Sequence, residues 1–173
     1  EAVTNTATNM TVTVGKTEFF RDTRQFQALE QTLIPQLLSQ ARREGRKLKI
    51  WSAGCASGEE AYSLAIAFIE ALDAMPASGP CELQIFATDL NADAIASARS
   101  GRFTTAIARD LTPKRLARFF SERPDGYQID KRVRDMVLFA QHDLIMDPPF
   151  TRLDIVSCRN LMIYFGTAAA DRP

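Results

Sequence analysis

Residues 50 to 63 read IWSAGCASGEEAYS, an apolar strand that passes through small residues and two glycines into a helix opening with two acids. A strand, a glycine turn and a helix in that order let a ligand approach the backbone and the positive helix end closely, which is a nucleotide-binding geometry. Gly54 and Gly58 stand as G-x-x-x-G, matching neither the dinucleotide fingerprint nor the lysine-bearing phosphate loop. A tight turn with no ligand has the same pattern. Glu59 and Glu60 at the helix start disfavour a phosphate by like-charge repulsion and favour a cationic or hydroxyl-bearing ligand. S-adenosylmethionine fits that description, since it has no phosphate and carries a sulfonium and an amino group; the plain alternative is that both acids complement the helix dipole. Asp89, just after the next strand, stands where doubly wound folds put an acid on ribose hydroxyls, or else it caps a helix.

The chain around these residues has the size of one domain, 173 residues. With 46% hydrophobic and 24% charged residues it has the balance of a folded globular protein, which excludes disordered and low-complexity classes. Twenty-one basic residues balance twenty-one acidic ones, so the basic excess of a nucleic-acid binder is missing. No apolar run approaches the roughly 20 residues that span a bilayer, and no secretory segment opens the chain, so a cytoplasmic protein without membrane insertion is expected. Cys55, Cys81 and Cys158 form no close pair and His142 is the single histidine; neither a disulfide framework, a metal site nor metal catalysis is expected. Cys55 and Cys158 read as small residues where the backbone nears a ligand, and His142 is assigned no role.

Strands alternating with helices position the chemistry. Glu1 to Met10 is polar and aperiodic, and residues 1–14 read as a linker or flexible start. Phe26, Leu29, Leu33 and Leu37 mark a helix capped by Asp22 and kinked or broken at Pro35. Leu48 to Ser52 predicts a strand, Glu59 to Leu72 a helix, and Leu83 to Thr88 a second strand. A helix capped by Asn91 or Asp93 then runs to Gly101, and Thr112 with Pro113 starts another that reaches Phe120. Short antiparallel strands are expected over Tyr127 to Phe139, and core strands at Met136 to His142 and Leu153 to Ser157. The class is α/β, with a doubly wound, mostly parallel sheet and right-handed crossovers.

TEFFRD (17–22), WSAGCASGEEAYS (51–63), FATDL (86–90), ARSGRF (98–103) and SCRNLMIYF (157–165) resemble the chemotaxis receptor glutamate methyltransferases of the CheR type. The motifs fall in that family's order and span nearly the whole chain. The resemblance implies a Rossmann-like S-adenosylmethionine methyltransferase fold over residues 15–173, with a small antiparallel subdomain inserted at about 103–137 that some members dock on a receptor tail. It implies that glutamate side chains on the cytoplasmic domain of bacterial methyl-accepting chemotaxis receptors become methyl esters, with S-adenosyl-L-homocysteine as the other product. The family also has a helical N-terminal domain and strands beyond SCRNLMIYF, and with the first residue Glu and not Met a fragment or a processed chain is expected, lacking both.

Position by position, the resemblance implies that Thr17 contacts the cofactor and that Arg21 sits beside the transferring methyl. Glu60 would meet the methionine part and Asp89 the ribose, with Gly54 in the turn between. Asp143 and Leu144 would border the adenine, Cys158 and Arg159 would lie under the cofactor, and Tyr164 would stand near the acceptor carboxylate. Two positions depart from the pattern. Gly15 stands where the family often has Asn, leaving only a backbone contact. Asp143 replaces the usual Asn, exchanging an amide for an acceptor-only carboxylate.

No general base is needed, because a glutamate carboxylate with a reference pKa of about 4.3 is already ionised at neutral pH. Taken without the resemblance, Arg21 reads as a surface salt bridge and Tyr164 as a half-buried core tyrosine. DPPF (147–150) looks like the loop by which amino-group methyltransferases grip a nucleic-acid base, but here it precedes a strand instead of following one, and it reads as a rigid connection. The rival function is a non-catalytic module that binds cofactor or receptor within a larger signalling protein.

Overall fold

The computed structural model describes residues 10–13, 17–75 and 81–159. Five strands form an all-parallel sheet: β1 (Met10–Thr13), β2 (Leu48–Ala53), β3 (Leu83–Asp89), β7 (Val137–Gln141) and β8 (Ile155–Arg159). Their spatial order is β1-β8-β2-β3-β7, so the chain steps outward from β2 through β3 to β7 and returns to the other side of β2 as β8. That reversal makes a switch point beside β2, where crevices open at the carboxyl ends of the strands.

Register follows from alternation. Ile50 pairs with Ile85 and Ile155, and Ile85 with Val137, all four buried, so they and Phe139 line one face. Helix α3 (Glu59–Ala74) packs there with α4 (Ala92–Ser100), and α2 (Ile34–Glu44) packs beside α3 and β2. Every α3 side chain from Glu60 to Ile69 is buried, so the helix is sunk in the core on all sides, not along a single stripe. The Tyr62 hydroxyl donates to the Ala98 carbonyl at 2.7 Å, fastening α3 to α4. On the opposite face Trp51 and Phe86 are neighbours in register, and Phe150 of the Pro148-Pro149 loop stacks on Phe86 at 4.7 Å.

The second sheet is antiparallel: β4 (Arg102–Phe103), β5 (Phe120–Arg123) and β6 (Gly126–Ile129) lie in the order β4-β6-β5. With α5 (Pro113–Phe119) and α6 (Lys131–Arg134) these strands build a subdomain between α4 and β7. Thr112 caps α5 by accepting from the Arg115 amide, and Asn91 caps α4 by accepting from Asp93 and Ala94, both as the sequence predicts.

Three local expectations are corrected. Met10–Thr13 is not part of a linker: it pairs in parallel with β8, Met10 opposite Val156 through Thr13 opposite Arg159. The Asp22 side chain makes no cap bond. Its backbone is left-handed (φ 57°), and its carbonyl, not its carboxylate, accepts from Gln25 and Phe26. Pro35 does not break the helix either. A π-helical turn over Leu29–Leu33 joins α1 (Thr23–Ala28) to α2, a widened turn just before a residue that has no backbone donor.

Gly126 fixes the subdomain. Its φ is 147°, and a Cβ there would lie 2.0 Å from the Phe103 carbonyl oxygen, so β4 and β6 approach as they do only over a glycine. Gly126→Ala is expected to cost about 2–4 kcal/mol through backbone strain and overpacking. Chemical denaturation of the variant beside the parent checks this, and an unchanged midpoint would refute it.

Candidate functional site

The carboxyl edge of the parallel sheet is closed by residues 54–58, which leave β2 through two left-handed residues, Gly54 (φ 70°) and Ala56 (φ 45°), and enter α3 at Gly58 (φ 93°). A Cβ at Gly58 would come within 3.1 Å of Ala98 and the Phe139 ring, so this glycine seats the start of α3 against α4 and β7. The loop is held to β3 twice: the Cys55 amide donates to the Thr88 carbonyl at 2.9 Å, and the Ala56 amide donates to Asp89 Oδ2 at 2.9 Å. Asp89 Oδ1 accepts from the Asn91 amide at 2.9 Å. A carboxylate offers about four acceptor sites, so Asp89 is fixed by two backbone amides and retains capacity for a hydroxyl.

Glu60, in the first turn of α3, is buried at 7% exposure, and Ser157 of β8 donates its hydroxyl to Glu60 Oε1. Glu59 takes the Ser57 hydroxyl, and burial holds its carboxyl above the usual range. Between these acids lies the Cys55 thiol, pushed far up, first by burial and then by the Asp89, Glu60 and Glu59 charges. One sulfur therefore lies within electrostatic range of all three carboxylates. Cys158, opposite Ala53 in the register, is pushed up to about 11 by burial and by Glu60. Both thiols stay protonated, which suits filling and not redox work.

Residues 17–22 run across the first turns of α3. The Phe20 amide donates to Ser63 Oγ at 2.9 Å, and Ser63 in turn donates to the Glu59 carbonyl at 2.7 Å. Phe19 sits in the subdomain against Phe103 at 4.9 Å and Phe120 at 5.4 Å, and Phe20 packs edge-on to Phe26. Arg21 is half-buried between two non-glycine left-handed residues, Phe20 (φ 50°) and Asp22 (φ 57°). For a bulky residue such as Phe20 that backbone is strained and is kept only where its surroundings dictate it.

The other expected positions fall as follows. Thr17 is half-buried at the start of the same segment. The Asp143 carboxylate accepts from the Ile145 amide at 2.8 Å and the Met146 amide at 3.2 Å, and its own amide donates to Asp147, so it organises a turn after β7 in which Leu144 is half-buried. The turn reaches the edge through the His142 amide, which donates to the Asp89 carbonyl at 3.1 Å. Arg159 ends β8, and nothing is described of its side chain; Gly15 and Tyr164 lie outside the described residues. Sequence reasoning missed Ala56, Ser63 and Ser157. Both serines belong to quoted motifs, whereas the Ala56 contribution is a backbone amide that no residue type signals. His142 lies against Trp51 and Phe150, and DPPF supplies Phe150 to that cluster.

The edge therefore presents acceptors from Asp89, Glu60 and Glu59, an acceptor set suited to an ammonium and to hydroxyls and repelling phosphate by like charge. Among the described residues no cluster of His, Cys, Asp and Glu could hold a metal ion, and no helix is long and apolar enough to cross a membrane.

Such a parallel sheet with an acidic, glycine-turned edge defines a cofactor-binding α/β domain. The family model described as "CheR methyltransferase, SAM binding domain" matches residues 15–172, so the chain belongs to that family, and S-adenosylmethionine is its cofactor. A Rhodobacter capsulatus protein described as "Uncharacterized 104.1 kDa protein in hypE 3'region" is 45% identical over 90% of this chain and 16% of its own length. Chemotaxis protein methyltransferase 1 of Pseudomonas aeruginosa is 36% identical over 90% of this chain and 57% of its own. A chemotaxis protein methyltransferase of Listeria monocytogenes is 34% identical over 89% and 55%. The chain thus spans little more than half of the two methyltransferases, and far less of the first relative. Among solved structures, the glycopeptide N-methyltransferase MtfA complexed with sinefungin is a distant likeness, with a TM-score of 0.37 and 16% identity over 86% of this chain and 41% of that one.

Because burial and Glu60 lift the Cys158 thiol to about 11, its thiolate appears only as the pH climbs toward that value. At about pH 8, alkylation of Cys158 should be more than about a hundredfold slower than that of free cysteine. Peptide mass spectrometry after timed iodoacetamide treatment reads this, and alkylation at the free-thiol rate would contradict the burial argument.

Proposed function

We propose that this domain transfers the methyl group of S-adenosylmethionine to glutamate side chains of methyl-accepting chemotaxis receptors. The observation that carries the reading is the acidic edge, with the segment 17–22 pinned to the first turns of α3 through the Phe20 amide and Ser63. The family match and the names of two relatives support the same chemistry.

When bound, the cofactor supplies an electrophilic methyl on a cationic sulfur and leaves as S-adenosylhomocysteine. Asp89, pre-oriented by the Ala56 and Asn91 amides, accepts from the ribose hydroxyls. Glu60 takes the amino end, with Ser157 fixing the rotamer of its carboxylate. Thr17 and Gly54 would border the cofactor, Cys158 and Arg159 would contact it from the end of β8, and Asp143 and Leu144 would hold the adenine. Arg21 anchors the acceptor carboxylate by charge-assisted hydrogen bonds and Tyr164 orients it. The nucleophile is already ionised, so no side chain need remove a proton. What the protein contributes is in-line placement, worth roughly 7 to 11 kcal/mol as effective molarity. The acceptor belongs to the cytoplasmic part of the receptor, which puts this domain in the cytoplasm, with neither nucleic acid nor bilayer as a partner.

Calorimetry with S-adenosylhomocysteine should give one site, weakened by roughly ten- to a hundredfold in Asp89→Ala, the equivalent of a hydrogen bond to a charged group. Base-labile methyl incorporation into receptor fragments, measured with the full-length protein, should fall at least as far in Arg21→Ala. Binding without incorporation would mark a non-catalytic module, and no binding by the folded domain would defeat the reading.

A further inference from the structure

Arg115 of α5 ties together the subdomain, the core helix α3, the π turn and the segment carrying Arg21. Its Nε lies 3.2 and 3.1 Å from the two carboxylate oxygens of Glu70 in α3, and its Nη2 lies 2.7 Å from Glu70 Oε2 and 2.5 Å from Glu30 Oε1 in the π turn. The same guanidinium lies over the Phe20 ring, its central carbon 3.7 Å from the ring centroid. The side chain is only 18% exposed and both glutamates are 27% exposed, so the network is weakly screened by water. Glu70 receives the guanidinium fork on both oxygens, which fixes its plane as well as its charge.

The plane is what matters at Phe20. A guanidinium fixed by two carboxylates on its edges presents its flat face to the ring, and Phe26 meets the ring from elsewhere at 5.1 Å. Phe20 is also the left-handed residue immediately before Arg21, and its amide is spent on Ser63. A strained φ of 50° persists only while contacts on the side chain and the amide outweigh it. We propose that Arg115 is a positioning residue: by clamping the Phe20 ring it maintains the backbone turn that presents Arg21 to the site, and so couples the inserted subdomain to catalysis. The coupling to catalysis rests on the proposed function, whereas the clamp itself does not.

Arg118 supplies the control. It pairs with Asp73 of α3 from the same helix α5 and makes its ring contact with Phe119, not with Phe20. Loss of Arg118 therefore loosens the α5–α3 junction without releasing the Phe20 ring. The experiment compares the parent with Arg115→Met, Arg115→Lys and Arg118→Met in the full-length protein, reading amide hydrogen exchange at Phe20 and base-labile methyl incorporation into receptor fragments. Arg115→Met should raise exchange at the Phe20 amide about tenfold and lower methyl incorporation about tenfold, the scale of a partly desolvated cation–π contact. Arg115→Lys should recover part of both, while Arg118→Met stays at the parent values. Unchanged Phe20 exchange in Arg115→Met, or equal loosening in Arg118→Met, overturns the proposal. Should Arg115→Met not fold, Glu70→Gln, which removes the charge and one acceptor oxygen of the fork, is read against Arg118→Met by the same criteria. If the parent itself incorporates no methyl, the proposed function fails while exchange at Phe20 still decides the role of Arg115.

Discussion

The hydrogen bond from the Ala56 amide to Asp89 is the contact on which the site depends. Residues 54–58 must reverse from a central strand into a buried helix within five positions, three of them with positive φ. Such a loop exposes backbone donors that need fixed partners. The end of β3 supplies them, the Thr88 carbonyl for Cys55 and the Asp89 carboxylate for Ala56. Once the loop is held, the entry of α3 is set, and with it Glu60 against Ser157 and Ser63 beneath Phe20.

Three separate stretches of chain reach this edge. The sheet contributes carboxylates fixed by amides and a serine, the segment 17–22 contributes Arg21 on a strained turn, and the subdomain holds that segment through Phe103, Phe120 and Arg115. The electrostatics follow the same division. Acids gather where the sheet ends, and Arg21 lies on a segment that comes from outside the sheet. Buried sulfur fills the middle and stays uncharged at neutral pH, so the cluster of acids has no thiolate added to it.

The elements legible in the sequence are those whose periodicity and punctuation agree. β2, α3, β3 and α4 lie within two residues of where apolar spacing, Asn91 and Gly101 put them. The types of Glu59, Glu60 and Asp89 pointed to an acidic edge that disfavours phosphate, and all three stand at the carboxyl end of β3 or the first turn of α3. Hidden from the sequence were partners that belong to the backbone or arrive from afar: the Ala56 amide, the carbonyl of Asp22 acting where its side chain was expected, and Arg115 reaching Glu30 and Phe20 across the fold. The subdomain was legible through family motifs more than through pattern, because strands of two to four residues have too few positions for alternation to register. β1 was missed for the same reason, four residues in a polar stretch whose sheet partner lies near the other end of the sequence.

That last pairing has a cost in time. β8 lies between β1 and β2, yet it leaves the ribosome after all the other described strands, and its bridge from Met10 to Val156 closes a loop of nearly the whole chain. Contacts of such sequence separation are slow to form. Until β8 arrives, the open side of β2 is an unpaired edge in a nascent domain, exposed to pairing with another chain. Folding of the parallel sheet is therefore completed only once Ile155–Arg159 is free to pair, and removal of β8 leaves one edge of β2 open.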